Sequence, residues 1–168
     1  EALRVAQFAY MFGLDEFSNE VACIAGAAGL CHGISHLLKI EKGVLQRVVA
    51  SHLSSEDFFK DRNRVEAVLL AIQNNSFLNE LTDTEPQICL IDALPSVDCV
   101  NWLSSPTATS KKPESIARDI SNHLEFLNPL SQIYIRTKLG LHLAEESAGV
   151  IRLYLSIVQN QLTEEGLM

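Results

Sequence analysis

The sequence predicts an all-α fold, and three observations carry that prediction. Apolar residues recur at three- and four-residue spacing along most of the chain. Strand–helix alternation is missing, and no glycine-rich turn follows a strand-like run. The most apolar stretch, Val21–Leu38 (VACIAGAAGLCHGISHLL), is also the richest in small residues and suits a buried helix. The expected architecture is a compact bundle of about seven or eight helices around that central helix, at about 21–38. With 168 residues the chain suits one domain, 1–168, with its own core.

The elements follow in order. Glu1–Phe12 places Leu3, Ala6 and Tyr10 on one face, and Gly13 reads as its stop. Asp15–Asn19 is a turn or the start of the central helix. On that helix, at about 100° per residue, Ala22, Ala25, Gly26, Gly29 and Gly33 form a narrow stripe that ends at His36. Interior glycines cost about 1 kcal/mol each relative to alanine, so close packing or a ligand along the stripe must offset roughly 3 kcal/mol. Val44–Leu53 is a short helix with Leu45, Val48, Val49 and His52 on one side. Ser54 and Asp57 read as a capping box for a helix over Ser55–Asn74, striped by Phe58, Val65, Leu69 and Ile72. Glu56/Lys60 and Arg62/Glu66 are i,i+4 pairs on its outer side.

Phe77–Leu81 adds one helical turn. Gln87–Leu94, between Pro86 and Pro95, is either a short strand or a buried helical turn, and Ser96–Leu103 is helical. Ser104–Lys112 (SSPTATSKK) is the clearest flexible loop, at 104–112. Helices are expected over Glu114–Leu127 and Pro129–Leu139, the second stopped by Gly140. The last helix, Leu141–Leu162, is the most regular: Leu141, Ala144, Ala148, Ile151, Leu155, Val158 and Leu162 step alternately by three and four. Val150, Leu153, Tyr154 and Ile157 widen its apolar arc, which offers a homodimer surface through 141–162. No internal repeat is read from the sequence.

Charge bounds the partners. The chain carries −8, and nearly all the imbalance lies before residue 103. Val65–Ser110 holds no Lys or Arg, yet contains Glu66, Glu80, Asp83, Glu85, Asp92 and Asp98. Such a field repels phosphate backbones and anionic lipid, which argues against nucleic-acid binding and for a protein partner, a basic one above all. A membrane span needs roughly 20 apolar residues, and His32, Ser35, His36 and Lys39 cut the central run short. Cys23, Cys31, Cys89 and Cys99 form no Cys-x-x-Cys pair and suit a reducing, cytoplasmic setting as small buried hydrophobes.

Catalytic chemistry is poorly supported. His32 and His36 are spaced to share a metal, and His142 stands one turn from Glu145. Gly33 nevertheless occupies the position where the zinc-protease pattern needs Glu, and the di-iron pattern needs paired Glu-x-x-His. The expectation is therefore a protein-interaction or regulatory domain with an acidic face built from Glu66, Glu80, Asp83, Glu85, Asp92 and Asp98, and no cofactor. The alternative is a binder of a small molecule, metal or haem, or an enzyme, whose pocket lies at Gly26, Gly29, Gly33 and His36, with His32 and His36 as metal ligands.

Overall fold

Two of the most apolar segments meet as an antiparallel helical hairpin, held together through glycine. The computed structural model describes residues 1–34, 42–73, 84–104, 115 and 135–165. Helix α1 spans Ala2–Glu16 and α2 spans Asn19–Cys31, so the link is only Phe17 and Ser18. Ser18 stops one helix and starts the next: its extended backbone breaks the run, and its hydroxyl accepts from the Val21 amide at 3.2 Å.

Gly13, expected as a stop, lies inside α1 and is buried. A methyl group there would fall 2.7 Å from Ala22 Cα and 2.8 Å from Ala22 N. At the other end, a methyl on Gly29 would fall 2.6 Å from Ala6 Cα and 2.8 Å from its N. Each glycine thus lets the opposite backbone approach closer than any side chain would allow. Contacts that dense offset the weak helix propensity of the glycines.

This exchange exposes a repeat that periodicity alone did not single out. Val5, Ala6, Ala9, Gly13 and Leu14 recur sixteen residues later as Val21, Ala22, Ala25, Gly29 and Leu30. The first four of each set are buried, and the leucines are exposed. The hairpin is therefore locally two-fold: Ala6 of α1 faces Gly29 of α2, and Ala22 of α2 faces Gly13 of α1.

Helix α3 (Lys42–Leu53) buries Leu45 and Val49, while Val48 and His52 stay exposed. A 3₁₀ turn at Asp57–Lys60 precedes α4 (Arg62–Gln73). The capping box expected at Ser54 does not form, because the Ser54 and Ser55 hydroxyls donate backwards to Ala50 O and His52 O. Asp61 takes that role, its carboxylate accepting from the Asn63 amide at 2.9 Å. Arg62 pairs with Glu66 at 2.9 Å as expected, whereas Lys60 pairs with Asp57 rather than Glu56. Helix α2 packs against α1 on one side and α4 on another, and α4 packs on α3. Arg64 ties this layer together. Its Nε donates to Glu20 at 2.7 Å, its Nη1 donates to Phe58 O at 2.9 Å, and its guanidinium lies 4.3 Å over the Phe58 ring.

Helix α5 (Glu85–Ser104) absorbs both the Gln87–Leu94 segment and the Ser96–Leu103 helix. Pro86 sits in its first turn, where a missing amide costs nothing, and Pro95 lies inside. Cys89, Leu90, Ile91, Ala93, Pro95 and Val97 are all buried, so this stretch is enclosed nearly all round. By contrast α2 buries one side, and Leu30 is exposed.

Helix α6 spans Lys138–Glu164. Gly140 does not stop a preceding helix. It lies in the first turn of α6, where its amide donates to the Thr137 hydroxyl at 3.2 Å. Ala144, Ala148 and Ile151 join Ile135 in a cluster flanked by Leu141 and Leu155, which is the expected three–four stripe.

The architecture is all-α, with six α-helices among the described residues rather than seven or eight. The central helix expected over Val21–Leu38 ends at Cys31. Leu38, the segments Phe77–Leu81, Glu114–Leu127 and the loop after Ser104 lie outside the described residues, apart from Ser115. The chain forms two compact units, Glu1–Val97 and Asp98–Met168. Among the described residues no helix is long and apolar enough to cross a membrane.

Candidate functional site

One side of the hairpin is exposed, with no described helix packed over it. Leu3, Gln7, Tyr10, Leu14 and Phe17 follow one another at heptad spacing on α1. Leu3 is 73 % exposed, Leu14 51 % and Tyr10 37 %. Across from them α2 contributes Cys23, Gly26, Ala27 and Leu30, the last 50 % exposed. A shallow trough runs between Leu3, Gln7 and Tyr10 on one bank and Cys23, Ala27 and Leu30 on the other, with Ala6 and Gly26 at its floor. The Tyr10 ring lies across Gly26, its Cβ 3.4 Å from where a methyl would project, and its hydroxyl donates to Asn19 Oδ1 at 3.3 Å. No Asp, Glu, Lys or Arg lines the trough.

Leu3, Ala6 and Tyr10 share a face by spacing, but only Ala6 of the three is buried. The inward residues are Val5, Ala6, Ala9, Phe12 and Gly13. The signal that separates the two faces is the sixteen-residue repeat, since its buried positions mark the contact side on both helices at once.

The expected glycine pocket divides into unlike positions. Gly29 is filled by the Ala6 backbone, which leaves no space there for a ligand. Gly26 floors the trough, Gly33 has open space beside it, and His36 lies outside the described residues. His32 is half-buried, with Nδ1 2.7 Å from Gly29 O. A carbonyl only accepts, so Nδ1 carries the proton in that hydrogen bond. His32 borders a cavity of about 60 Å³ lined also by Leu45, Gln46, Val49, Leu69, Ile72 and Gln73. Among the described residues no group of three His, Cys, Asp or Glu is placed to hold a metal.

Of the six acidic residues, two are described as exposed and one as buried. Glu66 is exposed and paired with Arg62, and Glu85 is exposed in the first turn of α5. Asp92 is only 1 % exposed, which removes it from any exposed face. Glu80, Asp83 and the Asp98 side chain lie outside the described residues. Nearby, Cys89 has its thiol pushed up to about 12, first by burial and then by the negative charges of Asp92, Glu85 and Glu16. Burial also raises the Cys31 thiol. Both thiols are held away from the reactive thiolate form.

No family model, curated relative or solved structure matches the chain.

Proposed function

We propose that this chain is a protein-interaction domain that uses the uncovered side of the α1–α2 hairpin as its docking surface. One observation supports this most: Leu3, Tyr10, Leu14 and Leu30 form an uncharged, exposed apolar patch on a chain of net charge −8. Tyr10 is already held by Gly26 and Asn19, so little rotamer freedom is lost when a partner covers it. The acidic stretch, through Glu66, Glu85 and their neighbours, acts at longer range and favours basic partners over nucleic acid or anionic membrane. The buried Cys89 and half-buried Cys31 thiols, both raised by burial, suit a reducing, cytoplasmic setting.

Capture of proteins by immobilised chain tests this. Leu30→Glu should abolish capture, while Glu66→Lys with Glu85→Lys should change mainly its salt dependence. Capture indifferent to Leu30→Glu overturns the hairpin as the docking surface. Circular dichroism shows whether each variant remains folded.

A second proposal, that the chain binds a small ligand, rests on the His32 cavity. With His32, Gln46 and Gln73 beside the apolar residues and no Asp, Glu, Lys or Arg in the lining, that space favours a neutral, compact and largely apolar group with one hydrogen-bonding atom. Titration with tert-butanol, followed on the methyl resonances of Leu45, Val49 and Ile72, should saturate if the cavity binds ligands. A linear response removes this reading.

A further inference from the structure

We infer that the cavity beside His32 takes a short neutral aliphatic molecule, with an alkyl group of about three or four carbons, and that this ligand fastens helix α3 to its neighbours. This rests on the ligand-binding reading of that cavity and adds the size of the ligand and the helix it controls.

The ligand class follows from volume and polarity. A cavity known to take benzene measures about 150 Å³, so a space of about 60 Å³ is too small for a six-membered ring and suits a short alkyl group. The deepest lining residues, Leu45 and Val49, are apolar and buried. The polar ones lie nearer water: His32 and Gln46 are half-buried and Gln73 is exposed. An alcohol therefore enters alkyl end first and keeps its hydroxyl among the polar groups. A charged molecule would lose its hydration with no opposite charge to meet.

Control of α3 follows from how that helix is held. Among its described side chains only Leu45 and Val49 are buried, and both line the cavity. The anchorage of α3 is thus one wall of a space that its own side chains leave unfilled, and atoms facing a void forfeit dispersion contacts. The lining also includes His32 at the end of α2 and Leu69 and Ile72 of α4. A ligand in the space touches all three helices at once. Release of α3 removes Leu45 and Val49 from the wall and frees the ligand. A ligand bound only while α3 is docked makes its release rarer by the factor 1 + [L]/Kd.

Hydrogen exchange of the full chain, with and without tert-butanol, tests this. A Kd on the order of 10 mM is expected for a ligand of so few atoms. At about ten times that Kd, exchange at the Val48 and Val49 amides should slow about tenfold. Phenol should give only linear shifts of the Leu45 and Val49 methyl resonances. Leu69→Phe, which sets a ring in the cavity, should abolish saturation by tert-butanol and slow α3 exchange with no ligand present. Added tert-butanol should then change exchange no further, which separates binding from a general solvent effect. Val49→Leu fills the space with a smaller group and serves where circular dichroism shows Leu69→Phe unfolded.

Linear shifts with tert-butanol remove the cavity as a binding site, and this inference with it. Saturation without slower α3 exchange leaves the binding site standing and overturns the control of α3. Phenol that saturates as tightly as tert-butanol overturns the size class.

Discussion

Helices α2 and α5 exchange the roles that their compositions suggest. Helix α2 is glycine- and alanine-rich and almost free of polar residues over Val21–Cys31, yet it keeps one side open at Leu30. The α5 segment Gln87–Val97 carries Gln, Asp and Ser and an interior proline, yet it is the more enclosed of the two. Small residues report how closely two helices approach, not how central a helix is. In α2 they serve one contact with α1, and the remaining faces are free to differ.

The largest effect that tests this contrast comes from truncating equivalent leucines. Leu90→Ala in α5 should cost about 2–5 kcal/mol, whereas Leu30→Ala in α2 should cost under about 0.5 kcal/mol in the monomer. Urea denaturation at low protein concentration measures both, and equal losses would erase the distinction.

Next in size is the glycine contact. Gly29→Ala should destabilise by about 1–3 kcal/mol, because the added methyl meets the Ala6 backbone rather than a flexible side chain. Gly149→Ala, where nothing stands within 4 Å, should instead gain up to about 1 kcal/mol. A Gly29→Ala protein as stable as the parent would mean that the helices lie further apart.

The Cys89 thiol gives a pH-dependent test. Its folded value near 12 lies above the ordinary value of 9.0, so the unfolded chain loses this proton first. The stability it contributes is complete below pH 9 and falls as pH rises through 9 toward 12, by about 1.4 kcal/mol per unit. Cys89→Ala should flatten that part of the stability profile once its own cavity cost is subtracted. An unchanged slope would show that the thiol is open to water.

The smallest effect concerns Gln87, which is 1 % exposed and has neither amide atom hydrogen-bonded. Gln87→Leu keeps the volume and removes an unsatisfied polar group, so it should stabilise by about 1 kcal/mol. A loss of stability would show that an internal water or a side-chain partner satisfies the amide.

Much of the fold was legible because periodicity survives wherever a helix has one wet side. In α6 the three–four steps are buried at Ala144, Ala148 and Ile151 and half-buried at Leu141. Boundaries were harder, since glycine has two meanings. Gly13 and Gly140 look like stops, but the first is a helix contact and the second lies inside a turn capped by Thr137. Only tertiary geometry separates those uses. Burial of charge was illegible for a similar reason: Asp92 counts toward an acidic field in sequence, and the fold withdraws it from the surface. Of the trough, only Gly26 was named from the sequence as a pocket residue, because the three–four spacing of Leu3 and Tyr10 suits a core stripe as well as an exposed one.

The two-residue link at Phe17–Ser18 has a kinetic consequence. Partners that are neighbours along the chain lose little entropy on meeting, so the α1–α2 hairpin is expected to assemble before contacts of longer range. Substitutions at Ala6, Gly13, Ala22 or Gly29 should then slow refolding more than they hasten unfolding, which would mark the hairpin as the seed on which the later helices settle.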